Sequence, residues 1–292
     1  MTRVETLLEA AAGAARDEAA SPAERAQMLM ELAMGLQRRP KTPEDLAAAI
    51  ALYGEALALC PPEEALLAAR IGARRATALQ ALPEEGSASI EAARAALEAA
   101  ILVLARLGSP AELAEAEMNL GLCLQHLGRL PQAIAAYQRS LRTFDARRYP
   151  AEFAILQNNL ATAFLSTKSP LSEALAVQSF EQALKAVNLI DHPAEYAMLQ
   201  NNLGNALQSV ASSHVLDNHA RALDAYDEAL KVRTRTARPV EHANTLANKA
   251  NCLWTLGRVE EARACYEEAR EIFLAHGEPA KARAVAEALQ AG

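Results

Sequence analysis

Aromatic side chains are scarce in this sequence, at 4% of residues with a single tryptophan, while alanine is by far the commonest residue. That balance argues against strands with bulky side chains and for helices packed through small residues. Cysteine is sparse as well. The four present, Cys60, Cys123, Cys252 and Cys265, form no C-x-x-C pair, so neither a disulfide framework nor a zinc framework is expected. No basic block stands out and the formal net charge is −7, which excludes an obvious nucleic-acid footprint. No apolar run reaches the roughly 20 residues that a membrane-spanning helix needs. The opening M-T-R-V-E-T-L-L-E-A carries acids where a secretory leader needs an apolar core, and the expectation is a soluble, cytoplasmic protein.

Catalytic signatures are missing too. The chain contains no H-E-x-x-H, no phosphate-cradling glycine loop and no Ser/His/Asp constellation, so no enzyme activity, catalytic residue, metal or cofactor is assigned. The one histidine cluster, His214-Val-Leu-Asp217-Asn-His219, matches no metal-ligand spacing and is read as loop polarity.

What the sequence does have is repetition. The stretch Pro193 to Leu207, P-A-E-Y-A-M-L-Q-N-N-L-G-N-A-L, has near copies opening at Pro110, Pro150 and Pro239. Prolines at 22, 62, 110, 150, 193, 239 and 279 set the phase, and the first six are followed two residues later by glutamate. Proline suits the first helical position, and a first-turn carboxylate complements the helix dipole. Each proline is therefore expected to start a helix, with Ser21 and Ser109 as N-caps. Eleven residues after the first six prolines comes a small residue (Ala33, Ala73, Gly121, Ala161, Gly204, Ala250), the mark of close approach by a second helix. That second helix carries an aromatic with a small residue three later: Tyr53/Ala56, Tyr137/Ser140, Phe180/Ala183, Tyr226/Ala229 and Tyr266/Ala269, with Leu97/Ala100 as the substitute. Spacing of three places both on one face, so the unit is an antiparallel helix pair.

Departures from the pattern carry their own expectations. Pro83 to Ser87 lengthens one turn, Lys249 occupies a place where leucine is expected, and Ser166 to Ser172 and Ser209 to Asn218 are insertions in repeats that lack the turn glycine. Residues 1–20 form a leading helix with Val4, Leu7, Leu8 and Ala11 on one face, and Ala280 to Leu289 a terminal cap.

The run Asn119-Leu120-Gly121, Gly128-Arg129, Ala133, Tyr137 and Leu141 resembles the tetratricopeptide repeat. With Asp191-His192-Pro193 leading into Q-N-N-L-G, it is similar to the longer variant, of about 42 residues, found in kinesin light chains and bacterial arrays. The resemblance implies an all-α fold, a right-handed superhelical solenoid of about six helix pairs with a C-terminal capping helix. The expected division is 1–20 for the leading helix, then repeats 21–60, 61–108, 109–148, 149–191, 192–237 and 238–278, with 279–292 as the cap.

In that family the first helix of each pair lines a concave face. Carried across, the groove comprises Arg70, Arg74, Met118, Asn119, Asn158, Asn159, Thr162, Met198, Asn201, Asn202, Asn205, Asn244, Asn248, Asn251 and Trp254. Asparagine is a mediocre helix former, and its concentration here suits an extended peptide backbone, since a carboxamide both donates and accepts. Asn119, Asn159 and Asn202, each directly before the leucine, have two open roles, packing and ligand contact; Asn158, Asn201, Asn205 and Asn251 are the stronger ligand candidates. Arg70 and Arg74 with Asn119 partly resemble the carboxylate clamp of chaperone-binding members. The expected function is a protein- or peptide-binding scaffold, monomeric and without nucleic-acid or membrane partners. The alternatives are a sensor of a small signalling peptide that acts through a partner protein, or an accessory to an enzyme or metal pathway through the loop 209–219.

Overall fold

The computed structural model describes residues 3–38, 40, 42–82, 87–210 and 215–291; the side chains of residues 3–5, 8, 215 and 291 are not among those described. Among the described residues every regular element is an α-helix. The chain divides into two compact units, 1–143 and 144–292.

The first unit contains α1 (Arg3–Ala15), α2 (Pro22–Gln37), α3 (Pro43–Leu59), α4 (Ala65–Gln80), α5 (Ala88–Leu107), α6 (Pro110–His126) and α7 (Leu130–Ser140). Three antiparallel pairs, α2/α3, α4/α5 and α6/α7, stack in chain order, and α1 packs on α2. Ala11 is buried and Leu7 packs against the same core; of the face expected on this helix, Val4 and Leu8 lie outside the described side chains. The second unit contains α8 (Pro150–Ser166), α9 (Pro170–Ala186), α10 (Pro193–Ser209), α11 (Val215–Leu230), α12 (Pro239–Thr255), α13 (Val259–Ala275) and α14 (Pro279–Ala291). Its pairs are α8/α9, α10/α11 and α12/α13, and α14 covers α13 by burying Ala282 and Val285.

The periodic residues explain the pairing. Tyr53, Leu97, Tyr137, Phe180, Tyr226 and Tyr266 are all buried on the second helices, as are the small residues three further on. Tyr137 and Tyr226 lie directly against the glycine of their first helix. A Cβ built on Gly121 would fall 2.4 Å from the Tyr137 ring, and one on Gly204 2.6 Å from the Tyr226 ring. The two serine N-caps expected from the sequence form capping boxes: Ser21 Oγ accepts the Glu24 N–H while Glu24 accepts the Ser21 N–H, and Ser109 and Glu112 repeat the arrangement.

Pro62 does not start a helix. It lies in the turn before α4, which begins at Ala65, because a second proline and two glutamates precede the apolar run. The phase of this pair therefore shifts by three residues. Buried Ala69, Ile71, Ala76, Ala78 and Leu79 on α4 match Ala114, Ala116, Gly121, Cys123 and Leu124 on α6. Ala76, rather than Ala73, is the counterpart of Gly121, and Arg75 falls where leucine stands in most pairs. Lys249 falls at the same place in α12, and its ammonium pairs with Asp227 on the preceding second helix, its stem lying along the packed surface. For Arg75 the residue corresponding to Asp227 is Gly54, and the Arg75 Nε is buried without a partner.

The insertions are smaller than expected. From Ser166 to Ser172 only residues 167–169 lie outside helices, and Lys168, at φ 54°, takes the left-handed turn conformation that Gly128, Gly257 and Gly277 take elsewhere. Within Ser209 to Asn218, residues 215–218 belong to α11. Residues 211–214, including His214, and residues 83–86 of the other lengthened turn lie outside the described residues.

Candidate functional site on the first-helix faces

The second unit places its asparagines in a linked chain. Asn248 Nδ2 donates to Asn201 Oδ1 (3.3 Å), Asn201 Nδ2 to Asn202 Oδ1 (3.1 Å), Asn202 Nδ2 to Asn158 Oδ1 (2.8 Å) and Asn158 Nδ2 to Asn159 Oδ1 (3.3 Å). The four bonds run in one sense through α12, α10 and α8, so each carboxamide polarises the next. Asn158 and Asn201 are buried, at 9% and 7% exposure. They were the stronger ligand candidates in the sequence; their carboxamides are instead engaged with neighbouring helices, because the position three before the small residue turns inward between adjacent first helices.

A second set of carboxamides serves the buried tyrosines. The Tyr53 hydroxyl donates to Gln37 Oε1 (2.7 Å), Tyr137 to Gln125 Oε1 (2.9 Å) and Tyr226 to Asn205 Oδ1 (2.7 Å); Tyr266 donates to Asn251 Oδ1. Gln208 Nε2 donates to the Tyr226 hydroxyl in turn. Without these acceptors each phenol would be an unsatisfied polar group inside the stack, and burial pushes the Tyr53 hydroxyl up to about 12 and those of Tyr137 and Tyr226 upward as well. The glutamine stands four residues after the small residue where the partner is Tyr53, Tyr137 or Tyr226, and Leu165 replaces it where the partner is Phe180; the match is partial, since Gln80 holds the place opposite Leu97 and Trp254 holds it opposite Tyr266. The pairing of these glutamines with the tyrosines is not legible from the repeat spacing alone.

Asn205 and Asn251 differ from the buried pair. They occupy the same place on α10 and α12, both are exposed, and each gives only its Oδ1 to a tyrosine. The phenol bond fixes the Oδ1 end of each carboxamide. Asn159, Asn202, Asn244, Asn248, Thr162 and Met198 are half-buried on the same faces, with Thr162 Oγ1 donating to the Asn159 carbonyl. Trp254 is half-buried against the core, with the Arg263 guanidinium 6.0 Å from its ring centroid.

In the first unit Arg70 is already paired. Its Nε donates to Glu112 Oε1 (2.6 Å) and its Nη2 to Oε2 (3.4 Å), tying α4 to the capping box of α6, so it is not available to a ligand carboxylate as the clamp resemblance implied. Arg74, at the place equivalent to Asn119, stays exposed and lines a small cleft with Thr77, Glu115 and Asn119; Met118 is half-buried beside it.

The Arg70 bond, then the Ser109 N–H, hold the Glu112 carboxyl at about 2, below the ordinary 4.5. Because the folded value is depressed, its contribution is complete above about pH 4.5 and is lost as pH falls through about 2. Solvent screening keeps that contribution to about 1 kcal/mol or less. The difference in urea midpoint between wild type and Glu112→Gln should accordingly be largest near neutral pH and vanish at about pH 2; a pH-independent difference would show that the pair does not act this way.

Among the described residues, no group of three His, Cys, Asp or Glu side chains is placed to share a metal ion, and no helix is long and apolar enough to cross a membrane. His219 is buried on α11, where its carbonyl accepts the Cys252 thiol.

No curated protein matches the sequence. Among solved structures, PilF from Pseudomonas aeruginosa is similar at a TM-score of 0.60 and 16% identity, over 89% of this chain and 96% of PilF. BtubC (BKLC) from P. vanneervenii is similar at 0.51 and 18%, over 95% and 93% of the two chains. NprR in complex with its cognate peptide NprX is similar at 0.57 and 14%, over 90% and 71%. Residues 209–275 match the family model described as tetratricopeptide repeat. The same aromatic-on-small helix pair recurs in five of the six pairs from α2 to α13, with Leu97 in the other, so the fold is that of a tetratricopeptide-repeat array, and the family match itself covers residues 209–275.

Proposed function

We propose that the protein is a scaffold that holds an extended peptide segment of a partner against the first-helix face of its second unit. The observation that carries this reading is the pair Asn205 and Asn251: exposed carboxamides at equivalent places in successive repeats, each pinned through Oδ1 by a buried tyrosine, each offering Nδ2 to an acceptor. Pinned donors suit peptide carbonyls because little side-chain freedom is lost on binding. Met198, about two turns before Asn205 on α10, supplies a deformable apolar contact. The same repeat architecture carries a bound peptide in NprR. The reading assigns no reaction and no cofactor.

A phage-displayed peptide library panned on the purified protein tests it. Peptides selected by wild type should bind the Asn205→Ala/Asn251→Asp double variant, in which the carboxylate keeps the oxygen that Tyr266 bonds, about tenfold or more weakly, as expected for two hydrogen bonds of about 1 kcal/mol each. Equal affinity for both proteins would sink the reading.

A further inference from the structure

The turn between α11 and α12 breaks the pattern of the repeat at one residue. Seven positions after the aromatic of each second helix, the other pairs place Cys60, Leu104, Phe144, Val187 and Phe273, of which the last four are buried and apolar. The fifth pair places Arg233 there. A matching change faces it from α12: Thr245 is fully buried where Ile71, Leu156 and Leu199 stand in other first helices, and it accepts the Arg233 Nη1–H at 3.1 Å. The turn itself is held, because the Arg233 carbonyl accepts the His242 Nδ1–H at 2.6 Å. A guanidinium thus occupies a place built for hydrocarbon, with one of its five N–H groups bonded to a hydroxyl.

No carboxylate lies within ion-pair distance of it among the described residues; the neighbouring acid, Glu241, lies 3.8 Å from Arg238 instead. Desolvation lowers the Arg233 pKa, and the Glu241 carboxylate offsets only part of that effect. Arg233 lines a cavity of about 300 Å3 together with Ile155, Met198, Val232, Arg238, Glu195 and Glu241, a size at the lower end of ligand pockets. The structure is arranged to receive an anion that also brings apolar surface. Arg238, the other cation of the lining, pairs with Glu241, which leaves Arg233 as the cation there without an ion-pair partner among the described residues. Glu195, which has no cation partner among the described residues, favours a ligand with an N–H donor beside its anionic group.

We infer that this cavity binds a carboxylate joined to an aliphatic residue, the chemistry of a peptide's C-terminal residue or of an acidic side chain beside an apolar one, with Arg233 holding the carboxylate and Ile155, Met198 and Val232 the aliphatic group. The inference rests on the peptide-binding reading and adds to it an anionic anchor outside the asparagine positions.

The probes are N-acetyl-leucine, its amide, and N-acetyl-Leu-Asp-amide, titrated into protein labelled at the methionine methyls. The chain has six methionines, and Met198→Leu identifies the reporter signal. N-acetyl-leucine, N-acetyl-Leu-Asp-amide or both should shift the Met198 methyl saturably, and which of them does so distinguishes a terminal from a side-chain carboxylate. N-acetyl-leucinamide should bind about tenfold or more weakly. Arg233→Leu, which restores the residue type of the other repeats, should weaken the carboxylate probes to the level of the amide while raising Tm by about 2–4 °C; Arg233→Lys should retain part of the affinity. Absence of any Met198 response, equal binding of acid and amide, or undiminished binding by Arg233→Leu would overturn the inference. None of these results depends on Asn205 or Asn251, so loss of selected peptides in their double variant with a silent Met198 would leave the groove standing and remove only this anchor.

Discussion

Gly204→Val is expected to lower the stability of the second unit by about 3 kcal/mol, read as a fall in urea midpoint at unchanged slope. The Cβ would lie 2.6 Å, 2.7 Å and 3.0 Å from three atoms of the Tyr226 ring, closer than any packed carbon pair. The ring has no free direction to retreat, since it is fully buried and its hydroxyl is bonded to Asn205 and Gln208. Valine gains only a few tenths of a kcal/mol over glycine in helix propensity, too little to offset the overlap. Ala33, Ala161 and Ala250 hold this place in other pairs, so a methyl group is compatible with the unit in general and Gly204→Ala should fall between. Gly54→Ala is the contrasting control: nothing lies within 4 Å of its Cβ, and it should gain about 0.5–1 kcal/mol. A Gly204→Val protein within about 0.5 kcal/mol of wild type would show that the glycine is not required by the ring.

The glycine and its tyrosine were legible in the sequence because the contact recurs with the repeat, and a constraint met once per pair leaves a period. Proline misled where it does not recur in context: Pro62 follows Pro61, and the helix waits for Ala65. The signal that sets the phase there is the apolar run Ala69, Ile71, Ala76, Ala78, Leu79, which determines the buried face directly. The asparagine positions were legible as a class, but their roles were not. Asn201 and Asn205 lie one helical turn apart, and a rotation of the helix face sends one between helices and the other to solvent. Which carboxamide meets which depends on the approach of α8, α10 and α12, set by packing distances that no single segment encodes. Arg233 escaped notice because it lies after the second helix, in a turn where an arginine looks ordinary; only alignment on the aromatic shows that the place is apolar elsewhere.

Asn202 had two open roles, and the carboxamide chain predicts how its removal will behave. Its Nδ2 donates to Asn158 Oδ1 and its Oδ1 accepts from Asn201 Nδ2. Asn202 itself is half-buried, whereas both partners are buried. Asn202→Ala therefore strands an acceptor and a donor where water reaches poorly, and each such group costs about 1–3 kcal/mol. The expected loss is about 2 kcal/mol or more in the second unit. Asn159, at the end of the chain, strands only the Asn158 Nδ2–H, so Asn159→Ala should lose about half as much. Asn205→Ala is a weaker perturbation than Asn202→Ala, because Tyr226 keeps its bond from Gln208. A double-mutant cycle on Asn158 and Asn202 should give a coupling of about 0.5 kcal/mol or more, since the pair shares one bond and one chain. These values separate packing from binding: if Asn202→Ala leaves the urea midpoint unchanged, the carboxamide is not held by its neighbours and is free for a ligand. If it falls as predicted, scanning for peptide contacts must be confined to Asn205→Ala, whose tyrosine keeps its bond from Gln208, and Asn251→Asp, which keeps the oxygen that Tyr266 bonds, because loss of binding in Asn158, Asn201 or Asn202 variants would report the loosening of adjacent helices.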